Sequence, residues 1–368
     1  MKNYNVAIIG CGAIAKNYLK YSREAYGDYF TITTATDILP EKAKAFAEEY
    51  GVEKFGTPEL AYNDPEIDIV INLTVPMAHE EVTVRALESG KHVYTEKPLA
   101  CTREGMKRII ETSKRCGKRV GCAPDSFMSA PAQTAKKAIE EDWIGEPIAI
   151  NAICAMRGNE YWRPDADFFY KEGAGPMMDM APYYLNMFIN LVGSVESVSV
   201  MSKMTWPERT IKVAPRRGEK IEVEVPTFVS SALRFRNGVI ATFVNSFDIW
   251  GTKQPYIEVY GEKGTMVIPD PNKYKGDVLV RRFKDSEWRE LPQFIEYANY
   301  GRGIGIVDMI RSIEADIPHK TGLDMAYHAT DVIFAMDEAG KAHKEISIDS
   351  SAEKPEGLWK TPEEILWK

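Results

Sequence analysis

Cysteine is scarce and unpaired in this 368-residue chain. Its five cysteines (Cys11, Cys101, Cys116, Cys122, Cys154) are odd in number and show no Cys-x-x-Cys spacing. That argues against a disulfide framework or a zinc ribbon and for a reducing compartment. Basic charge is not in excess: 46 Lys and Arg stand against 54 Asp and Glu, a net −8. A nucleic-acid surface needs a basic footprint, and so does docking on anionic lipid, so neither partner is expected. No apolar run approaches the roughly 20 residues needed to cross a bilayer. Met1-Lys2-Asn3-Tyr4-Asn5 runs straight into an apolar strand without a secretory leader pattern, so a cytoplasmic location is expected. Repeats and low-complexity segments are absent. The five histidines, His79, His92, His319, His328 and His343, show no ligand spacing, so no metal is expected.

With 44% hydrophobic and 27% charged residues, the chain has the profile of a globular protein long enough for two domains. The first half alternates strands with helices. Val6-Ala7-Ile8-Ile9, 30–36, 67–73, 92–95 and 119–122 are short apolar or β-rich runs. Helical patterns fill the gaps, one opening at Pro40 and closing at Gly51, another closing at Gly117. Such alternation implies a doubly wound parallel sheet over residues 1–123. After Ala123 the pattern becomes strands and turns, including the hairpin signal Asn237-Gly238. Residues 124–368 are therefore expected to form an α+β domain with a large, mostly antiparallel open sheet. Helices near 303–315 and 324–339 are expected to close that domain. The fold class is α/β.

Gly10-x-Gly12-x-x-Ala15 lies between the first strand and the first helix, the context a dinucleotide fingerprint requires. Gly10 permits a tight turn and Gly12 a close approach of backbone to pyrophosphate. Ala13 and Ile14 open the helix whose N-terminus would face the phosphates. Asp37 ends the second strand, where a carboxylate can accept from both ribose hydroxyls of NAD and would repel the 2′-phosphate of NADP. NAD is thus expected over NADP. Thr74-Val75-Pro76 and His79 follow the strand at 67–73 and are expected on the cofactor side, as is Glu96. A turn aspartate and a helix-opening proline are the plain structural alternatives.

Glu96-Lys97-Pro98 follows the strand at 92–95. Ligands sit at the carboxyl ends of strands in open α/β sheets, so Lys97 is placed to meet a substrate oxygen. Taken alone, the tripeptide equally fits a solvated turn. Asp179 and Tyr183, spaced i, i+4, share one helix face.

Together these residues resemble the Gfo/Idh/MocA oxidoreductases. The likeness is carried by Gly10-Cys-Gly12-Ala-Ile-Ala15, Thr74-Val-Pro76, Glu96-Lys97-Pro98 and Gly173-Ala-Gly175-Pro-Met-Met-Asp179-Met-Ala-Pro-Tyr183. The resemblance implies a Rossmann domain and a C-terminal open-sheet domain that often mediates oligomers, so a homo-oligomer, dimer or tetramer, is expected. It also implies NAD(P)-linked redox chemistry on a sugar, glycoside or polyol, with Lys97 catalytic and a cis Lys97-Pro98 peptide. Asp179 and Tyr183 would complete the catalytic set. Many members carry histidine where Tyr183 stands, so a simple histidine base is not implied; the glucose–fructose and dihydrodiol branches are similar in using tyrosine there. A free phenol has a pKa of about 10, and a nearby ammonium favours its phenolate. Either the tyrosine or Lys97 itself can then accept the substrate proton.

Tyr161, Trp162 and Arg163 precede the catalytic helix and suit a sugar ring; loop packing is the alternative. Asp125 stands where many relatives carry arginine or asparagine nearby and is expected to contact substrate. The basic run Lys203, Arg209, Lys212, Arg216, Arg217 and Lys220 reads as a solvated loop or an oligomer arm, with a phosphate-bearing substrate as a lesser alternative. Three other functional readings stay open. One is tightly held NAD used transiently for redox-neutral glycoside cleavage or epimerisation. Another is a keto-sugar reductase, and the third a non-catalytic NAD- or sugar-binding regulator.

Overall fold

The computed structural model describes residues 2–293 and 300–358. They divide into two compact units. One comprises residues 2–129, 300–327 and 355–358; the other comprises 130–293 and 328–354.

The first unit holds six strands: β1 (Tyr4–Ile9), β2 (Phe30–Thr36), β3 (Lys54–Gly56), β4 (Ile69–Asn72), β5 (His92–Thr95) and β6 (Val120–Cys122). Their order is β3-β2-β1-β4-β5-β6, and every pairing is parallel. Both faces are covered, so β1 and β4 are almost wholly buried and read as unbroken apolar runs. The crossovers are α1 (Ala15–Glu24), α2 (Pro40–Tyr50), α3 (Pro58–Asn63), α4 (His79–Glu88) and α5 (Arg103–Cys116). Thr102 caps α5 through the Gly105 N–H, and Gly117 ends it in the left-handed region. The pair β3 and α3 has no counterpart in the sequence reading, because three residues of strand are too few to carry a period. The strand order reverses between β1 and β4, the crevice in which doubly wound sheets bind ligands.

The second unit is built on a nine-stranded sheet. In chain order its elements are α6 (Ala130–Glu140), β7 (Pro147–Ala155), α7 (Gly175–Val192), β8 (Val195–Lys203), β9 (Glu208–Thr210), β10 (Lys220–Glu222), β11 (Phe228–Phe235), β12 (Ile240–Ser246), β13 (Ile257–Gly261), β14 (Gly264–Ile268), β15 (Leu279–Arg282), β16 (Arg289–Glu290) and β17 (Ile346–Ser347). The sheet order is β16-β15-β14-β13-β7-β12-β11-β8-β17, while β9 and β10 pair apart as a ribbon. The large sheet is antiparallel throughout except at its centre, where β7 and β12 run parallel. Tyr184 and Phe188 of α7 pack on Phe243 of β12, which beds the helix on the sheet.

Two expectations are corrected. The helix α8 (Ile304–Ala315), assigned from the sequence to the second domain, belongs with the first unit. Its N-terminal N–H groups at Gly303 and Gly305 donate to Asp125, 2.9 and 3.0 Å away, and Arg311 donates to the Tyr29 hydroxyl. A pattern read along the chain cannot show a return of this kind. The basic run is solvated at Lys203, Lys212, Arg217 and Lys220 but not at Arg209. Arg209 is buried between Glu160 (2.9 Å) and Asp248, with the Tyr170 hydroxyl donating to Glu160. Arg216 pairs with Asp167 and Glu219. Arg209, Arg216 and Lys220 thus set their charge against acids of the same unit.

His328 is a buried structural histidine on α9 (Leu323–Ala342). Its Nε2 accepts from the Val195 N–H at 3.0 Å, and its Nδ1 meets the Ser350 hydroxyl at 2.9 Å. Only the neutral ring can accept there. Burial, opposed by Asp331 and assisted by Arg236, lowers its pKa from 6.5 to about 4. The unfolded chain therefore binds the proton first as pH falls. The stability from this ring is complete above about pH 6.5 and is lost on descent to about pH 4, an effect of about 3 kcal/mol. The thermal unfolding midpoint is expected to fall across that window. The His328 ring resonances are expected to stay unshifted until pH nears 4; a ring titrating near 6.5 would contradict this.

Candidate active site

The nucleotide-side candidates of the first unit lie at the β1–β4 switch point. Gly10 has φ +104°, and a Cβ there would lie 2.7 Å from the Leu73 carbonyl oxygen, so only glycine fits. A Cβ at Gly12 would meet nothing within 4 Å. Gly12 and Ala13 are exposed and Ile14 half-buried, and α1 begins without a side-chain cap or an acid in its first turn. An open cradle beside uncapped N–H donors is what a pyrophosphate requires, so these residues fit a dinucleotide. Asp37 is half-buried, and its Oδ2 accepts from the Cys11 N–H at 2.9 Å and its Oδ1 from the Leu39 N–H at 3.0 Å. A carboxylate has about four acceptor positions. Two therefore remain for ribose hydroxyls, while the two backbone bonds fix its aim.

Thr74 is held by Asn72, whose Oδ1 accepts from the Thr74 hydroxyl at 2.7 Å. Val75 is exposed and Pro76 half-buried at the lip of the same crevice. His79 is placed differently from expectation. It is buried, its Nδ1 lies 2.7 Å from the Pro98 carbonyl and its Nε2 3.1 Å from the Thr74 carbonyl. Burial lowers its pKa despite both carbonyls. Its ring ties the loop after β4 to the loop after β5, which positions cofactor-side backbone without offering a nitrogen to a ligand. Glu96 is likewise buried, accepting from the Tyr18 hydroxyl at 2.9 Å, with Arg302 3.5 Å away. Lys97, half-buried, follows directly at the carboxyl end of β5, and the Lys97–Pro98 peptide is cis. Asp125 is wholly buried, and its carboxylate caps α8, a task the sequence reading did not foresee. The expectation that it contacts substrate rests on its place after the strand at 119–122.

The candidates of the second unit lie on α7 and the loop before it. The Asn245 side chain donates to the Pro176 carbonyl at 2.7 Å, and the Tyr184 hydroxyl donates to the Ile153 carbonyl at 3.1 Å. Both bonds hold α7 to the parallel pair β7–β12. Asp179 is half-buried and Tyr183 buried on that helix, with Pro182 between them. Proline offers no N–H to the preceding turn, so the Met178 carbonyl is released from the helix ladder next to Asp179. Tyr161 meets the Trp250 ring edge-on at 5.2 Å. Arg163 pairs with Asp165 at 2.7 Å, and that hydrogen bond, with the charges of Asp165 and Asp179, raises its pKa. The field of Asp179 thus reaches the aromatic loop. Trp162 is half exposed. Arg157, Trp206 and Trp250 join Tyr161 in one cluster and were not singled out from the sequence, because they lie almost a hundred positions apart. Among the described residues, no group of three or more His, Cys, Asp or Glu is placed to hold a metal, and no helix is long and apolar enough to cross a membrane.

The two glycines separate folding from binding. Gly10→Ala is expected to lower stability by about 1–3 kcal/mol, through left-handed backbone and the Leu73 clash, and to lose NAD binding. Gly12→Ala is expected to keep the melting temperature and weaken NAD binding about tenfold or more, because its Cβ enters only the cradle. Thermal melts beside cofactor titration check both; a destabilised Gly12→Ala would contradict the assignment.

Comparison with known proteins bears on both units. The model described as "Oxidoreductase family, NAD-binding Rossmann fold" matches residues 4–123, and that of the "GFO/IDH/MocA C-terminal domain" matches 132–267. Levoglucosan dehydrogenase of Pseudarthrobacter phenanthrenivorans is 29% identical over 298 residues, 73% of this chain and 74% of that protein. Myo-inositol 2-dehydrogenase of Thermotoga maritima is 24% identical over 313 residues, covering 80% and 88%. The 1,5-anhydro-D-fructose reductase of Ensifer adhaerens is 27% identical over 267 residues, covering 71% and 74%. Among solved structures, levoglucosan dehydrogenase in complex with NADH aligns with TM-score 0.82 at 22% identity, over 95% of this chain and all of that one. An NAD-binding oxidoreductase from Klebsiella pneumoniae aligns with TM-score 0.81 at 21% identity, over 94% and 99%. At such identities the structures speak for the fold. The matched domains, the nucleotide cradle and the parallel sheet reversing at β1 and β4 agree: the chain belongs to the Gfo/Idh/MocA family of NAD-binding oxidoreductases.

Proposed function

We propose that this chain oxidises a ring secondary hydroxyl of a sugar, glycoside or polyol with NAD as hydride acceptor. The observation that carries this reading is the open, uncapped cradle at Gly12 in a chain whose relatives, by name, act on levoglucosan and inositol. NAD, when bound, supplies a nicotinamide carbon that takes the hydride. The chain's own residues do the rest. Gly12, Ala13 and Ile14 present backbone N–H groups to the pyrophosphate, and Asp37 accepts from the adenosine ribose. Its negative charge disfavours a 2′-phosphate, hence NAD over NADP. Thr74, Val75 and Pro76 line the nicotinamide side, backed by His79 and Glu96.

In this reading Lys97 donates a hydrogen bond to the reacting oxygen and stabilises the alkoxide charge that develops as hydride leaves. Tyr183 accepts the hydroxyl proton at its phenolic oxygen and returns it in the reverse direction. Asp179 holds a substrate hydroxyl or the base in orientation. Tyr161, Trp162 and Arg163 contact the ring. The relative named as an anhydrofructose reductase favours the reductive direction as a second reading, with the same residues running backwards. The unpaired cysteines favour the cytoplasm, and the family's C-terminal domain favours a homo-oligomer, dimer or tetramer; a monomer by light scattering would remove the oligomer.

The expected outcome is NADH formation from at least one member of a panel of monosaccharides, glycosides and inositols, with NADP markedly poorer. Preference for NADP would overturn the role of Asp37. Lys97→Ala is expected to lower kcat by about 100-fold or more. In the oxidative direction Tyr183→Phe should remove the low-pH limb of the pH–rate profile, where activity rises as the base loses its proton, if tyrosine is the base, and leave it in place if Lys97 is. Full activity in Lys97→Ala on a true substrate would sink the mechanism.

A further inference from the structure

Arg157 stands two residues beyond the end of β7, and the mechanism above does not use it. Its guanidinium carbon lies 4.5 Å from the Trp250 ring centre, 4.7 Å from Trp206 and 5.5 Å from Tyr161. Its Nε and Nη1 are buried and, among the described residues, have no hydrogen-bond partner. Neighbouring arginines differ. Arg163 holds Asp165, Arg209 holds Glu160 and Asp248, and Arg216 holds Asp167 and Glu219. Arg157 faces rings and, among the described residues, no acid. Aromatic faces stabilise a cation but satisfy none of its N–H donors, so a guanidinium kept this way lacks an acceptor.

Its position is imposed from both sides. The Met156 N–H donates to the Ser246 carbonyl at 2.9 Å, and the Met156 carbonyl accepts from the Ile249 N–H at 3.0 Å. Gly158, with φ +64°, lies against Glu160 and Arg209, where any Cβ would collide with the ion pair. The same end of β12 carries Asn245, which anchors the first turn of α7 and hence the helix of Asp179 and Tyr183. Trp250 is 72% exposed and Trp206 41% exposed, so the cluster opens to solvent.

We propose that Arg157, framed by Trp206, Trp250 and Tyr161, is a specificity-determining site for the carboxylate of a sugar acid. The planar guanidinium offers a fork to a planar carboxylate, and the indole faces stack on the sugar ring. Entry of the carboxylate replaces the ring contact of Trp250 with charge-assisted hydrogen bonds. This refines the reading of a sugar-directed oxidoreductase and rests on it for turnover, but not for binding.

The test therefore measures binding and turnover separately, on the full chain with NAD present. Quenching of tryptophan fluorescence is titrated with glucuronate, glucose, glucose 6-phosphate and inorganic phosphate, and NADH formation is followed with the same sugars. Glucuronate is expected to bind at least about tenfold more tightly than glucose, the worth of one charge-assisted pair. In Arg157→Gln that ratio is expected to collapse toward one, with the loss in KM and not in kcat. Arg157→Lys should restore part of it. Should Arg157→Gln fail to fold, Arg157→Lys carries the test by reducing the ratio, while Trp250→Ala, which removes stacking common to both sugars, should weaken both and leave the ratio at least as large. An unchanged ratio in Arg157→Lys would then overturn the proposal. An equal affinity for glucuronate and glucose, or a preference that survives Arg157→Gln, would overturn the proposal. Tighter binding of glucose 6-phosphate than of glucuronate would overturn the carboxylate assignment. Tight glucuronate binding with no NADH from any sugar would leave this site standing and remove the proposed dehydrogenase reaction.

Discussion

The approach of Gly10 to the carbonyl of Leu73 is the constraint on which the nucleotide half depends. Two parallel strands diverge there, and the turn after β1 passes so close to the end of β4 that no side chain fits between them. Once that turn is fixed, α1 starts with its N–H groups facing an open cradle, and Asp37 is pinned by the backbone of Cys11. The loop after β4 is in turn tied by His79 to the loop after β5, from which Lys97 emerges. A chain of short, buried contacts thus carries position from the switch point to a charged group. Each link is backbone or a side chain with little freedom, so little ordering is left for a ligand to supply.

In the second unit the corresponding support is ionic. Glu160, Arg209 and Asp248 form a buried set closed by Tyr170, Thr205 and Thr227. Buried charges are tolerated when matched, and here two carboxylates share one guanidinium, of which, among the described residues, Nε alone is left without a partner. It locks the loop between β7 and α7, where Arg157 and Tyr161 stand. An arginine without an acid, near Arg163, Arg209 and Arg216 that each have one, is the departure from that economy of charge.

Much of this was legible in the residues. Gly10, Gly12, Asp37 and Lys97 follow strands whose apolar runs are unmistakable, because a strand buried on both faces cannot hide its composition. The i, i+4 pair Asp179 and Tyr183 follows from helical geometry alone. Less legible were β3, β9 and β10, each three residues long, and the pairing of β7 with β12 across some ninety residues. The buried roles of Asp125, His79 and Arg209 were missed for one reason. A polar residue in a sequence gives no sign of whether its partner is a ligand, water or a distant backbone amide.

The sequence by itself determined the nucleotide-binding α/β half, the family, and the residue types available for hydride and proton transfer, since these depend on local periodicity and on short spacings within single turns. Tertiary structure alone decided that α8 returns to the first unit under the cap of Asp125, that Arg209 of the basic run is buried between two carboxylates, and that Arg157 stands among Tyr161, Trp206 and Trp250. Those outcomes depend on contacts between residues far apart in the chain, and charge or burial at such distances is a property of the packed fold.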